Sequence, residues 1–162
     1  MREKIEYDLV IVGGGPAGLS AAIKAKQIDP GLSVVVLEKG SEVGSHILSG
    51  AVLDTAGIDL LIPDWKETDI PIRTKVKEDH FYLLGPAGQV KIPNFLLPPL
   101  MNNHGNYIVS MGNVCRWLAG QAEGLGVDIF PGMACSDLVF GENKEVIGVI
   151  AGEFGLDKEG NK

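Results

Sequence analysis

Two short apolar runs frame the first forty residues. Tyr7 to Val12 (YDLVIV) is apolar, β-branched and brief, the pattern of a buried parallel strand. Gly13 to Gly18 is a glycine-rich turn. Pro16 to about Lys26 carries Ala and Leu on one face and reads as a helix, stopped by Asp29-Pro30-Gly31. Ser33 to Leu37 (SVVVL) is a second buried strand that ends at Glu38. The opening pattern is therefore strand, glycine turn, helix, strand.

The middle of the chain is less regular. Lys39 to Ala56 is rich in Gly and Ser and is expected to be loop with a short helix, and Ile58 to Trp65 to be a helix end followed by a turn. Ile72 to Val90 alternates and is broken by Gly85-Pro86, which suggests a hairpin. Phe95 to Met101 (FLLPPLM) is apolar but interrupted by proline. Regularity returns with a strand at Tyr107 to Val109 and a helix at Gly112 to Gly124, where Val114, Leu118 and Ala122 recur at i, i+4 and i+8. Val127 to Phe130 is a further strand. Leu138 to Phe140 and Val146 to Ile150 flank the turn Gly141 to Lys144 and read as an antiparallel hairpin before a polar tail. The expected class is α/β: a Rossmann-like dinucleotide-binding domain of the glutathione-reductase type, with an inserted hairpin segment. It divides as 1–64, an inserted 65–110 and a returning 111–162, and as a domain it is expected to be incomplete, since the chain stops in hydrophilic sequence just after a hairpin.

Composition narrows the function classes. The 162 residues hold 14 Lys plus Arg against 21 Asp plus Glu, a net charge of −7. Such a chain lacks the basic footprint of a nucleic-acid binder and any polybasic segment for anionic lipid. Contact with a membrane would have to use apolar side chains. Met1 to Glu6 is short and charged and a strand follows at once, so no signal or transit peptide is expected, and no apolar run has the ~20 residues of a spanning helix. Cys115 and Cys135 form no CxxC pair, and two thiols cannot ligate a four-cysteine cluster. They read as two partly buried thiols in a reducing compartment, with a disulfide as the alternative. His46, His80 and His104 make no HxH or HExxH pattern, so no metal site is expected. No nucleophile elbow or triad pattern is present and no catalytic side chain is assigned. Arg116 and Trp117 read as surface and packing residues.

The chemistry concentrates in Gly13-Gly14-Gly15-Pro16-Ala17-Gly18. Gly13 permits a tight strand-to-helix turn, Gly15 lets a pyrophosphate approach the backbone, and Gly18 lets the helix sit close on the sheet. The helix N-terminus offers free N–H groups and a positive dipole end to phosphate. A GxGxxG alone is weak evidence. Here it follows a strand and opens a helix, Ala22 continues the small-residue pattern, and Glu38 stands 20 residues beyond Gly18, where an acid accepts hydrogen bonds from ribose hydroxyls. A dinucleotide is the expected ligand; a glycine-rich turn without ligand is the alternative. Glu38 disfavours a 2′-phosphate. The second small-residue loop, Gly44 to Gly50, could follow the pyrophosphate and ribityl chain of FAD, which favours FAD over NAD.

With these segments in view, the chain resembles electron-transfer flavoprotein–ubiquinone oxidoreductase. The resemblance is carried by YDLVIVGGGPAGLSAA, VVVLEKGSEVGSHILSGAVLD, LIPDWKE and MNNHGNYIVSMGNVCRWLAGQAEGLGVDIFPG, and runs through nearly the whole chain. It implies a membrane-associated enzyme in which FAD takes electrons from electron-transfer flavoprotein and passes them to ubiquinone, with a [4Fe-4S] cluster in a part beyond Lys162. On that basis the chain is expected to be an N-terminal portion, inactive by itself, at the cytoplasmic face of a bacterial inner membrane. The FAD residues implied are Gly13, Gly15, Pro16, Ala17, Gly18, Glu38 and Lys39, then Gly44, Ser45, Leu48, Ser49 and Gly50. Ser45 stands where the family often has Ala, and its hydroxyl is expected near a phosphate. The arginine that related flavoproteins carry near Ser110 or Met111 is absent. Met133 and Ala134 fall where related proteins place backbone against adenine.

Ile92 to Met101 (IPNFLLPPLM) is the other segment that stands out. Proline at 93, 98 and 99 excludes a regular helix or central strand, and an apolar segment shut out of regular elements is often a surface patch. The resemblance implies that it dips into one leaflet on the quinone side, with Phe95, Leu96, Leu97 and Leu100 immersed. Packing against the domain's own sheet is the alternative. His104 in NNHGNY reads as a turn or hairpin-base residue. Two other functions remain open: an FAD reductase or monooxygenase of the geranylgeranyl-reductase-like type, and a non-catalytic dinucleotide-binding module.

Overall fold

The computed structural model describes residues 4–47 and 49–152. It divides into two compact units, one of Met1–Leu48 with Met111–Lys162 and the other of Ser49–Ser110.

The first unit is built on a parallel sheet. Strand β1 (Leu9–Val12) and strand β2 (Val34–Glu38) are joined by helix α1 (Pro16–Ile28). Strand β8 (Val127–Pro131) pairs parallel to β2 on its other side and is reached through helix α3 (Met111–Gly124), so the order is β1-β2-β8. Helix α1 starts with Pro at its first position, where no N–H is needed and φ is already helical. It buries Leu19, Ala22, Ile23 and Lys26, the i, i+3, i+4, i+7 stripe of a one-sided helix. Lys26 is buried with its charge satisfied: Nζ donates to the Pro30 and Leu32 carbonyls at 2.7 and 2.9 Å, closing the turn into β2. On α3 the expected Val114, Leu118 and Ala122 are buried, together with Cys115 and Ala119.

Central β2 is buried throughout Val34 to Leu37, as its continuous apolar run predicts. Strand β1 departs from the expected buried strand. Leu9 and Ile11 are half-buried, while Val10 and Val12 are 38% and 55% exposed. The reason is the pleat: successive side chains point to opposite faces, Ile11 lies under α1 at Gly18, and Val10 and Val12 point to the other face. The unit ends with the antiparallel hairpin of β9 (Cys135–Phe140) and β10 (Val146–Ala151), close to the expected spans.

The second unit has an antiparallel sheet in the order β3-β7-β4: β3 (Ser49–Leu53), β7 (Tyr107–Ser110) and β4 (Thr74–Lys75). Strand β3 lies where loop and short helix were expected. Its sequence hides it, because Gly50 sits at φ +81° in a bulge between the Ser49 and Ala51 pairings, which breaks the alternation that marks a strand. The backbone register joins Ser49 to Ser110. Helix α2 (Ala56–Leu61) and a 3-10 turn at Trp65–Glu67 follow β3. Trp65 is buried with Ile58, Leu61, Ile70, Ile72, Val76 and Val109, and meets Tyr107 edge to face at 5.6 Å. Its indole N–H donates to Asp59 at 2.6 Å, and that bond holds the Asp59 carboxyl below the usual carboxylate range.

The expected hairpin is present in narrower form: β5 (Phe81–Gly85) pairs with β6 (Gly88–Ile92) across Pro86-Ala87. Residues 72–80 lie outside it. The proline-rich segment forms two single 3-10 turns, Asn94–Leu96 and Pro99–Met101, and no regular helix or strand, as its prolines require.

Candidate cofactor site

The glycine turn leaves β1 and enters α1 with the geometry its residues anticipate. Gly13 has φ +110°, a conformation L side chains rarely adopt. Around Gly15 a Cβ would meet nothing within 4 Å, so the missing side chain leaves open space outside the turn. At Gly18 a Cβ would collide with the Gly13 carbonyl oxygen and come within 3.1 Å of the Ile11 side chain. Gly18 thus sets the close contact of α1 with β1. Gly15 is the N-cap, with no side chain capping the helix end. The first-turn amides of α1 therefore face the open side of the turn unblocked by a side chain, which suits an anionic pyrophosphate. Pro16 and Ala17 form the exposed shoulder of this turn.

Glu38, at the end of β2, ties two backbone segments. One carboxylate oxygen accepts from the Gly14 N–H at 2.8 Å and the other from the Gly40 N–H at 2.7 Å. Each oxygen keeps a second lone pair, the capacity that ribose hydroxyls need. The 13–18 turn and the 38–40 segment are thereby one construction. The Gly40 carbonyl in turn accepts from Gly132 N–H, which brings in the chain leading to Met133 and Ala134. Ala134 is exposed and its carbonyl accepts from Gly152 N–H at 2.6 Å. Lys39 is exposed beside the acid.

The second loop joins this group through Ser45. A Cβ on Gly40 would lie 2.5 Å from Ser45 Oγ, so that glycine leaves room for the serine. The Ser45 hydroxyl donates to the Glu42 carbonyl at 2.9 Å. Gly44 has φ +86°, and a Cβ there would be 2.6 Å from the Gly112 carbonyl oxygen. A Cβ on Gly112 would lie 2.9 Å from the Gly44 oxygen. The 42–45 loop thus rests backbone on backbone against the start of α3. Arg116 adds to this seat: Nη1 lies 3.5 Å from the Val43 carbonyl and 3.6 Å from Glu42, and Nη2 donates to Asn113 at 2.8 Å. Leu48 lies outside the described residues. Ser49 and Gly50 open β3 in the other unit.

The first unit therefore brings together Gly13, Gly15, Pro16, Ala17, Gly18, Glu38, Lys39, Gly44 and Ser45, with the approach to Ala134. Expectation from sequence overlooked Gly14, Gly40, Gly112 and Arg116. Only Gly14 and Gly40 carried a signal, as glycines adjoining the key positions. Burial pushes the Cys115 thiol up to about 11, which keeps it a neutral core group. Among the described residues no cluster of three His, Cys, Asp or Glu could hold a metal.

A parallel βαβ unit with a glycine turn and an acid at the end of its second strand defines a Rossmann-type dinucleotide-binding domain. Consistent with this, residues 8–70 match the family described as FAD binding domain. The sequence resemblance is narrower. The chain is 54% identical to electron transfer flavoprotein-ubiquinone oxidoreductase of Pseudomonas aeruginosa and 48% identical to the mitochondrial protein of that name from Dictyostelium discoideum, in each case over 99% of its length. It spans only 30% and 27% of those proteins. Among solved structures, a geranylgeranyl bacteriochlorophyll reductase-like protein of Thermoplasma acidophilum superposes with a TM-score of 0.65 at 26% identity, covering 90% of this chain and 34% of that one. A myxobacterial chondrochloren halogenase, at TM-score 0.59 and 21% identity over 96% of this chain and 34% of that one, shares the fold. The resemblance to electron-transfer flavoprotein–ubiquinone oxidoreductase thus holds over nearly the whole chain, and FAD is the cofactor that the fold and these matches support.

Proposed function

We propose that this chain is the FAD-holding part of an oxidoreductase that takes electrons from electron-transfer flavoprotein and delivers them to ubiquinone at the cytoplasmic face of a bacterial inner membrane. The observation that carries the FAD site is the Glu38 carboxylate bound to both Gly14 and Gly40, which welds the glycine turn to the end of β2. The residues assigned to FAD are Gly13, Gly15, Pro16, Ala17 and Gly18 for the pyrophosphate, Glu38 and Lys39 for the ribose end, Gly44, Ser45, Leu48, Ser49 and Gly50 for the second loop, and Ala134 near adenine. FAD supplies one- and two-electron redox chemistry. The chain's own work is to bind and orient: amide N–H groups at the head of α1 meet phosphate charge, and Glu38 accepts from ribose hydroxyls. No side-chain acid or base is assigned a proton transfer.

The choice of electron donor and acceptor rests on sequence. Identities of 48–54% over nearly the whole chain favour this activity over a geranylgeranyl-reductase-like one, whose solved relative stands at 26%. Titration of the purified protein with FAD, followed by flavin fluorescence, is expected to show saturable binding. Binding of NAD with none of FAD overturns the cofactor assignment. Ubiquinone reduction is not expected of the 162-residue chain alone, and turnover by it would refute that.

The membrane contact is assigned to the proline-rich segment. Phe95, Leu96 and Leu100 are 85%, 65% and 99% exposed and Leu97 is half-buried, so three of these four side chains are left out of the unit's core. Residues 80–110 contain no Asp or Glu, in a chain that holds 21. An apolar surface without carboxylates suits a lipid leaflet. No helix among the described residues is long and apolar enough to cross a membrane. Replacing Leu96 and Leu100 together by Asp is expected to abolish flotation with phosphatidylethanolamine–phosphatidylglycerol vesicles. Unchanged flotation removes this segment from the membrane contact.

A further inference from the structure

The apolar segment raises a mechanical question. Its largest side chains are exposed, so they contribute little packing to hold it in shape. Its order must come from elsewhere, and polar bonds at its base supply it. Asp79 stands two residues before β5. Its backbone carbonyl accepts from Asn94 Nδ2 at 2.8 Å. Its carboxylate accepts from Asn103 twice, from the backbone N–H at 3.1 Å and from Nδ2 at 3.2 Å. Asn94 and Asn103 bracket the proline-rich segment, one at each end. The same aspartate therefore touches the chain where it enters β5, where it leaves β6 and where it returns from the apolar turns.

The return is braced further. Asn102 Oδ1 accepts from the His104 N–H at 3.0 Å, Asn103 carbonyl accepts from Asn106 N–H at 3.1 Å, and Asn106 carbonyl accepts from Val76 N–H at 2.8 Å. This gives the NNHGNY sequence a role: its asparagines are the polar half of a collar whose other half is Asp79.

We infer that Asp79 is a positioning residue that, with Asn94 and Asn103, clamps the base of the 94–103 segment and preforms it as a rigid apolar tip for its lipid partner. The lipid half of this rests on the membrane contact proposed above; the clamp half does not. A tip already ordered in water loses little further conformational freedom on insertion, so its exposed leucines are used at full effect.

The test separates the two halves. In the free protein, Asp79→Ala removes the Asn103 bonds and keeps the backbone carbonyl that holds Asn94, so it is expected to speed amide hydrogen exchange at Met101 and Asn103 by about tenfold or more, the loss of a hydrogen bond to a charged acceptor. Asp79→Asn, whose amide oxygen can still accept one bond, is expected to fall between parent and Asp79→Ala. Asn94→Ala, which removes the bond to the Asp79 carbonyl and is expected to speed exchange at Leu96 and Leu97, gives an independent variant should Asp79→Ala fail to fold. The edge-to-face Trp65–Tyr107 pair, read by near-ultraviolet circular dichroism, is expected to be unchanged in all three. Exchange at the parent rate at Met101 and Asn103 in a folded Asp79→Ala, or at Leu96 and Leu97 in a folded Asn94→Ala, overturns the clamp, whatever vesicles show. On phosphatidylethanolamine–phosphatidylglycerol vesicles, Asp79→Ala is expected to bind about tenfold more weakly than the parent, with Asp79→Asn partly restored. A parent that does not bind sinks the lipid partner while the exchange data still decide the clamp. Parental binding by an Asp79→Ala whose tip does exchange faster overturns the preforming role.

Discussion

The Gly13–Gly18 turn and the Pro93–Met101 segment use the two special backbone residues to opposite ends. In the first, side chains are removed so that backbone can approach backbone or a ligand: Gly18 touches the Gly13 carbonyl and Gly15 looks onto open space. In the second, prolines deny regular pairing and leave large apolar side chains outside, with Leu100 almost fully exposed. One region exposes N–H groups and hides carbon; the other exposes carbon and is held by polar bonds at its base. The same chain thus presents an open glycine turn at a helix head and an exposed apolar surface, each built on residues that would weaken an ordinary core element.

Three substitutions probe that contrast. Gly18→Ala is expected to have the largest effect. Its Cβ has no room at the Gly13 carbonyl, so α1 must move off β1, at a cost of about 3 kcal/mol read from the urea midpoint at constant slope. A loss under about 0.5 kcal/mol shows that the helix–strand contact is not limiting. Gly15→Ala should separate ligand from fold, since the added methyl meets only open space. Stability is expected to stay within about 0.5 kcal/mol while FAD affinity falls about tenfold in a fluorescence titration. Equal affinity for both proteins would mean that Gly15 does not face the pyrophosphate. Leu100→Ser is expected to have the smallest effect: with nearly the whole side chain exposed, thermal unfolding should shift by less than about 0.5 kcal/mol. A large loss would place Leu100 in a core.

The two regions also differ in how far sequence alone discloses them. The βαβ unit was legible because its elements announce themselves locally: a short apolar run, a glycine turn, a proline at the first helical position, a one-sided helix, a second apolar run and an acid. The exposure of Val10 and Val12 was not, because the covering of a parallel strand depends on what packs against each of its faces. Strand β3 escaped for a different reason. Its partner β7 is far along the chain, and the Gly50 bulge spoils the alternation that would have marked it. The Gly44–Gly112 contact had no side chain to signal it, and Arg116, read as a surface residue, supports that same loop. The proline-rich segment was recognisable as something kept out of a core. That Asp79 holds both its ends was not, because asparagines beside a turn look alike whether they face water or a carboxylate.

The register that joins Ser49 to Ser110 has a consequence for how the chain folds. These residues are the first and last of the second unit, and β3 with β7 draws them into one ladder. For the first unit, the whole excursion then behaves kinetically as a short closed link. Without that ladder, bringing α3 and β8 to β2 would carry the closure entropy of a long floating loop, a cost that grows with loop length by about 0.6 kcal/mol per doubling. With it, the loop that must close before the parallel sheet pairs is effectively shorter. Insertions at the hairpin tip between β5 and β6 should therefore leave the folding rate of the first unit nearly untouched, whereas unzipping β3 from β7 should slow it.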